Sequence, residues 1–378
     1  MELRSTGDAQ ARPFLAGRTV RFYVCGITPY DATHLGHAFM CTVFDSLIRY
    51  LEHDGHVVVY ARNITDVDDD ILRRARELGE RYDVIADREV ERFDQAMRLL
   101  GNREPDVAPR PSQTIPAIQM AVSGLVTGGH AYALDDGRVY FDVTTSDRFG
   151  RHSGLDHPTM LQQFAEKGGD PEAPGKRNAL DFLLWQPSAA DEPSWASPWG
   201  DGRPGWHIEC SAMIMEHLGS TIDLHGGGSD LIFPHHEAEI LQAECLTGQA
   251  PFARFWLNCG MVGLNGTKMS KSLGNLVLAS DLLERCEAGA VRRMLLTHHY
   301  REEWSYRESE LIECDGRWKS WCDAASGDSE QPDFEAAFHA AINDDLDTPA
   351  AIRAVDGAAE AGAGSTVRTL AGILGFTF

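Results

Sequence analysis

Two histidines with one glycine between them, in His34-Leu35-Gly36-His37, follow an apolar, β-rich run from Val20 to Val24 and a turn holding Gly26 and Pro29. Behind them an amphipathic pattern begins, with Phe39, Val43, Phe44, Leu47, Ile48 and Leu51 at helical spacing. The order is strand, loop, helix, and both histidines fall at the helix N-terminus. Peptide N–H groups there lack intrahelical partners and the helix dipole is positive, so phosphate is what such a place accepts. Cys25 sits at the carboxyl end of the strand, where open parallel sheets bind ligands. Farther on, a short strand from Thr221 to Leu224 ends in His225-Gly226-Gly227-Gly228-Ser229-Asp230. Three glycines in a row let a ligand approach the backbone closely. Pro234 to Glu239 then opens a helix running through Cys245, on which His235 and Glu239, four residues apart, share a face.

The elements that must position these groups follow in order. Residues 1–18 read as a loose arm. His56 to Ala61 is a second buried strand whose end, Arg62-Asn63-Ile64-Thr65-Asp66, faces the same crevice as Cys25. Asp66, Asp68, Asp69 and Asp70 fit the first turn of a helix continuing to Leu78 better than a metal site, since acidic residues favour that turn. Residues 83–101 form another amphipathic helix. Pro105, Pro109, Pro111 and Pro116 mark a boundary. A helix from Ile115 to Val126 and a hairpin from Ala131 to Phe141, turning at Asp135-Asp136-Gly137, come next. Gly205 to Cys210 opens a helix to about Leu218. Phe252 to Asn258 is a strand, and 276–378 is mostly helical with a break near 325–333. No internal repeat is present.

The chain is 43% hydrophobic and 24% charged, which is globular and leaves room for two or three domains. Nothing in it is apolar for long enough to span a membrane, and no signal-peptide core is seen. Eight scattered cysteines without a dense framework read as reduced thiols in the cytoplasm. A net charge of −23 argues against a nucleic-acid partner, because a protein gripping a polyanion shows a basic surface.

His34-Leu35-Gly36-His37, joined by Lys268-Met269-Ser270-Lys271-Ser272, resembles the paired signature of class I aminoacyl-tRNA synthetases. The run Cys25 to His37 and the segment Glu166-Lys167-Gly168-Gly169-Asp170-Pro171 narrow the likeness to the mycothiol ligases within the cysteinyl-tRNA synthetase superfamily. Those enzymes join L-cysteine to glucosaminyl-inositol. The resemblance runs from about Arg21 onward. It implies a class I synthetase Rossmann-like parallel sheet, with residues 1–105 and 201–275 as its two halves. Residues 106–200 are then an insertion domain, and 276–378 a helical stem and C-terminal helical domain.

The resemblance also implies chemistry: cysteine and ATP form cysteinyl-adenylate, and an amine then takes the cysteinyl group. His34, His37, Lys268 and Lys271 are the catalytic set, the lysines holding pyrophosphate. Magnesium accompanies ATP without a dedicated protein cage. Cys25, Cys210, His235 and Glu239 are the implied ligands of one zinc ion, a donor set suited to tetrahedral coordination. Trp206 backs the bound cysteine, and Thr28 and Thr65 meet its charged ends. Gly26, Ile27, Asn63 and Ile64 flank them at the strand ends. Asp230 bonds the ribose hydroxyls, while Gly228, Ser229 and Val262 line the adenosine. Three positions depart from the pattern. The ligases usually have glutamine at His225, rely on two cysteines and one histidine without Glu239, and often have a small polar residue at Met40. A monomeric ligase acting on glucosaminyl-inositol is expected. The competing readings are a truncated cysteinyl-tRNA synthetase, a paralogue acting on another amine, and a non-catalytic nucleotide binder. The intact phosphate motifs disfavour the last, and the short stretch after residue 300 disfavours the first.

Overall fold

The computed structural model describes residues 1–29, 34–269 and 274–378, with only the backbone of Lys268. Two short paired strands, β1 (Glu2–Leu3) and β2 (Arg12–Pro13), open the chain. This corrects the expectation of a loose arm. Leu3 and Phe14 are buried, the Phe14 ring meets Phe255 edge-on at 5.3 Å, and the Thr6 N–H donates to the Trp256 carbonyl at 2.8 Å. Burying two large apolar side chains and pairing the backbone offsets the entropy of ordering the segment.

The strand β3 (Thr19–Ile27), the helix α1 (Leu35–His53) and the strand β4 (Val57–Ile64) form a parallel β-α-β unit. Phe22 of β3 and Phe44 of α1 lock it edge-on at 5.3 Å. The helix α2 (Asp69–Leu78) begins at Asp68, whose carboxylate accepts the Asp70 N–H at 2.8 Å, so the acidic run caps a helix as expected. The helices α3 (Tyr82–Leu99) and α4 (Ile115–Thr127) precede the hairpin of β5 (Ala131–Ala133) and β6 (Val139–Phe141). The helix α5 (His157–Glu166) and the strands β7 (Phe182–Pro187) and β8 (Gly202–Pro204) follow, and β5-β6-β7-β8 make an antiparallel sheet. Phe141, Phe182, Leu184 and Trp185 of this sheet pack with Ile118 and Val122 of α4 and with Ile208 of α6 (Trp206–His217).

The strand β9 (Ile222–Gly228), the helix α7 (Glu237–Thr247) and the strand β10 (Ala253–Cys259) complete the parallel sheet, in the order β10-β9-β3-β4. From β3 the chain steps to β4 on one side, and β9 later returns to the other. Strand order therefore reverses at β3, and the crevice beyond the carboxyl ends of β3 and β9 is where such sheets take ligands. The sequence reading ended this strand at Leu224. The structure carries it through all three glycines, because the neighbouring rings leave no room for side chains: a Cβ at Gly226 would lie 2.7 Å from Phe44, and one at Gly227 2.9 Å from His236. Likewise α7 begins at Glu237 rather than Pro234. Phe233 is extended (φ −134°, ψ 135°), which breaks the helix ahead of the two histidines.

A small sheet of β11 (Val262–Leu264), β12 (Thr267–Lys268) and β13 (Trp304–Tyr306) sits after β10. Around β13, the helices α8 (Ala279–Leu283), α9 (Ala288–Leu296), α10 (Glu308–Ala324), α11 (Pro332–Asn343), α12 (Thr348–Glu360) and α13 (Gly364–Ile373) make the rest of the chain helical, as expected. Among the described residues no helix is long and apolar enough to cross a membrane.

One buried cation ties this helical region to α1. The Arg292 guanidinium of α9 donates to the Asp45 carboxylate of α1, to Asn102 Oδ1 and the Leu100 carbonyl at 2.8 Å, and to the Leu374 carbonyl at 2.7 Å. Both Arg292 and Asp45 are buried, and burial pulls the guanidinium below its usual range. Removing only the anion leaves a desolvated charge. Asp45→Ala is expected to cost about 3–5 kcal/mol, and Asp45→Ala with Arg292→Met to regain much of it, read from urea unfolding midpoints.

Candidate active site and metal centre

A cavity of about 310 Å³ opens at the reversal point of the sheet. Its floor comes from strand ends: Cys25 and Gly26 from β3, Asn63 from β4, Gly228 from β9 and Cys259 from β10. These residues lie at nearly one level because the strands are parallel and in register, Cys259 pairing with Gly228. Asn63 fixes the floor. Its Oδ1 accepts the Gly26 N–H at 2.8 Å and its Nδ2 donates to Thr65 Oγ1 at 2.9 Å. Gly26 is obligatory here, since a Cβ would fall 1.6 Å from the Asn63 carbonyl oxygen.

His34 caps α1: its Nδ1 accepts the Gly36 N–H at 3.2 Å. The neutral ring then carries its proton on Nε2. The His37 ring stacks on His34 with centroids 3.9 Å apart, so two imidazoles and the helix N-terminus meet on one wall of the cavity. This is the arrangement that accepts phosphate oxygens.

Below the opposite wall, Cys25, Cys210, His235 and Glu239 are all buried, and one ligand atom of each lies within 4.8 Å of every other. The donors fit a soft divalent cation: two sulfurs, one imidazole nitrogen and one carboxylate oxygen. Burial pushes the Cys25 thiol up, and its hydrogen bond brings Cys210 down to about 6, so one sulfur is poised as thiolate. Glu239 Oε1 is 3.3 Å from His225 Nε2; among the described residues its Oε2 makes no hydrogen bond and lies 3.3 Å from the same nitrogen and 3.8 Å from His235 Nε2. His225 and His236 join Cys25 and Glu239 in a second set of the same compactness. His236 Nε2 is 3.7 Å from Cys25 Sγ, its Nδ1 accepts from the Asn258 amide at 3.3 Å, and burial pushes this imidazole well below its usual range, which leaves it neutral. Neither His225 nor His236 was read from sequence as a ligand; a histidine doublet beside a thiol-bearing strand end was the available signal.

The cavity gathers Cys25, Gly26, Thr28, His34, His37, Met40, Asn63 and Thr65 from the first half of the chain. From the second it gathers Trp206, Cys210, Gly228, Asp230, His235 and Val262. The Trp206 ring stacks on His235 at 4.5 Å. Glu239 lies beneath the wall, wholly buried. Ile27 and Ile64 are paired across β3 and β4 and buried, and Ser229 opens a short turn; none of the three side chains is part of the wall. Lys268 lies on β12, while Lys271 is outside the described residues. Cys259, Gly260 and Met261 also line the cavity and were missed. Their signal was positional: they end the next parallel strand, level with Gly228.

The model of the family described as tRNA synthetases class I (C) catalytic domain matches residues 12–315. The chain belongs to this family. It is 44% identical over 366 residues to a Mycolicibacterium gilvum (strain PYR-GCK) protein, covering 95% of this chain and 82% of that one. It is 47% identical over 346 residues to one from Kribbella flavida (strain DSM 17836 / JCM 10339 / NBRC 14399), covering 90% and 84%. Both relatives are named L-cysteine:1D-myo-inositol 2-amino-2-deoxy-alpha-D-glucopyranoside ligase. The resemblance to the mycothiol ligases read from Cys25 to His37 and Glu166 to Pro171 is thus borne out. Among solved structures, Mycobacterium tuberculosis methionyl-tRNA synthetase in complex with methionyl-adenylate matches with a TM-score of 0.62 at 16% identity, covering 94% of this chain and 89% of that one. A putative arginyl-tRNA synthetase from Campylobacter jejuni matches with a TM-score of 0.62 at 12% identity, covering 94% and 93%. At such identities these speak for the fold, the class I synthetase architecture expected. The family span 12–315 contains every side chain discussed for the cavity and the cluster.

The packing at the floor is itself testable. Gly226→Ala places a methyl against the Phe44 ring and is expected to cost about 1–3 kcal/mol as overpacking, read as a lowered thermal midpoint.

Proposed function

We propose that this chain activates L-cysteine with ATP and transfers the cysteinyl group to the amine of glucosaminyl-inositol, a step of mycothiol biosynthesis. One observation carries the reading: a single cavity joins a phosphate-type wall, His34 and His37 at the start of α1, to a thiol-bearing floor and wall at Cys25 and Cys210. A site that binds phosphate beside soft donors suits a substrate with a carboxylate to activate and a thiol to recognise. The ligase name shared by the relatives supports the choice of acceptor.

In this reading a cysteine carboxylate oxygen attacks the α-phosphorus of ATP and pyrophosphate leaves. No protein nucleophile is needed. The chain's work is to position the reactants and to stabilise phosphate charge. His34, His37 and the N–H groups of α1 face that charge, and Lys268 and Lys271 hold the departing pyrophosphate. Asp230 bonds the ribose, with Gly228, Ser229 and Val262 along the adenosine. Thr28 and Thr65 meet the amino acid's charged ends, and Trp206 closes over its side chain. Cys25, Cys210, His235 and Glu239 are the proposed holders of one Zn²⁺, with Mg²⁺ accompanying ATP. Zinc when bound would favour a thiol over a hydroxyl, since sulfur is the softer ligand.

The division into 1–105, 106–200, 201–275 and 276–378 belongs to this reading, as do a monomer and no nucleic-acid partner. A cytoplasmic setting is supported by eight free cysteines. The buried Glu239 beside His235 favours, as a second reading, a cysteinyl-tRNA synthetase.

Two measurements test the site. Cys210→Ala is expected to reduce zinc in the purified protein from one per chain to near zero, by elemental analysis, and to abolish cysteine binding with it; full zinc in the variant would remove Cys210 from the set. Cysteine-dependent exchange of pyrophosphate into ATP is expected with no acceptor present, and His37→Ala should slow it by about 10²-fold, the order for one transition-state charge contact. Exchange that waits for an acceptor would contradict adenylate formation. Adenylate consumed with tRNA and not with glucosaminyl-inositol would select the second reading.

A further inference from the structure

A second cavity, of about 560 Å³, adjoins the first and shares Thr28, Asp70 and Trp206 with it. It lies between the start of α2, the end of α5 and the antiparallel sheet, and the adenylate reading leaves it unused. We propose that this cavity is the acceptor site and takes an amino sugar bearing a polyol, with its amine at the shared opening. The proposal rests on the function argued above and adds where the acceptor binds and what recognises it.

Three features of the wall suit such a ligand. Its aromatic rings, Tyr140, Phe164 and Trp206, offer flat apolar faces of the kind that the C–H face of a sugar ring covers. Its carboxylates and the Gln186 amide supply acceptors and donors for hydroxyl groups, which lose affinity when buried unpaired. Carboxyl groups outnumber cationic ones in the wall, so an ammonium enters more readily than a phosphate. Asp70, paired with Arg73, stands at the opening where the ammonium must arrive.

Residues Glu166 to Asp170 are built into this wall. The backbone at Gly169 lies flat on the Phe164 ring: a Cβ there would fall 2.4 Å from it. The Lys167 ammonium donates at 2.6 Å to the carbonyls of Asp230 and Phe233, tying the segment to the turn that borders the adenylate cavity. The Lys176 ammonium donates to the Asp170 and Ala179 carbonyls, and its charge sits 4.6 Å from the Phe164 ring centre. The acceptor wall and the adenylate wall are therefore one connected piece.

In the transfer the ammonium first gives a proton to the Asp70 carboxylate. The neutral nitrogen attacks the carbonyl carbon of cysteinyl-adenylate and a C–N bond forms. The C–O bond to phosphate breaks with its electron pair leaving on AMP, and the nitrogen sheds its second proton to solvent.

The test uses Gln186→Ala and Glu166→Gln, two wall residues outside the adenylate cavity, with glucosaminyl-inositol as acceptor. The acceptor KM is expected to rise about tenfold in Gln186→Ala, the loss of one hydrogen bond to the sugar, and about threefold in Glu166→Gln, where a charged acceptor at the exposed rim becomes neutral, while pyrophosphate exchange, which needs no acceptor, reports that the variant is folded. Glu166 is exposed at the end of α5, so its variant stands even if the β7 change disturbs the sheet. An unchanged acceptor KM in Glu166→Gln and in any exchange-competent Gln186→Ala overturns the proposal while the ligase reading stands. A wild-type enzyme that makes adenylate but transfers nothing to the sugar overturns both.

Discussion

Six side chains that water would solvate well meet beneath the carboxyl edge of the parallel sheet: Cys25, Cys210, His225, His235, His236 and Glu239. Their burial is the constraint around which the site is built. A carboxylate without full hydrogen bonding, next to two thiols in a dry interior, costs several kcal/mol unless a positive charge compensates. The donor set could hold a divalent cation, which would balance the negative charge of the cluster. The surroundings conform to it. Gly226 and Gly227 have no side chains because the Phe44 and His236 rings fill that space. Trp256 stacks on His225 at 4.2 Å and Trp206 on His235 at 4.5 Å, holding both rings from outside.

Topology explains why this cluster lies next to the N-terminus of α1 and its two histidines. Strand order reverses at β3, so the helix leaving β3 and the helix leaving β9 sit on opposite sides of one crevice. α1 brings its N-terminus and two histidines to one wall, and the turn before α7 brings His235 to the other. Cys25 ends the strand between them. The same α1 is held from behind by Arg292, whose bonds reach Asp45, Leu100 and Leu374 together. The orientation of α1 is thereby coupled to the C-terminal helical region.

Much of this was legible in the residues. A strand, a glycine-containing turn and an amphipathic helix put His34 and His37 at a helix N-terminus, and the hairpin at 131–141 and the acidic start of α2 follow local rules. What local rules missed depends on tertiary neighbours. Leu3 and Phe14 look like isolated apolar residues in a polar arm until Phe255 is beside them. Three glycines read as loop because their value in a strand is the space they leave to Phe44 and His236, which lie elsewhere in sequence. His225 read only as a departure from the ligase pattern, and His236 was not among the expected ligands, since whether an imidazole shares a site with Glu239 is decided by where two strand ends and a helix turn converge. Cys259 to Met261 needed strand register, which periodicity alone does not supply.

The connection between the two cavities bears on how one chain keeps a reactive adenylate for an amine. Water competes with any acceptor for an acyl phosphate, and the usual protection is exclusion of solvent together with a pre-placed nucleophile. Here Trp206 is a wall of both cavities, and Lys167 clamps the acceptor side to the carbonyls of Asp230 and Phe233 on the adenylate side. The two cavities are therefore joined by a shared wall and two direct hydrogen bonds. In the proposed placement, a sugar seated against Trp206 would cover the opening at Thr28 and Asp70, so the nucleophile itself would become the barrier to water. Specificity for an amine acceptor and protection of the intermediate then follow from the same shared wall.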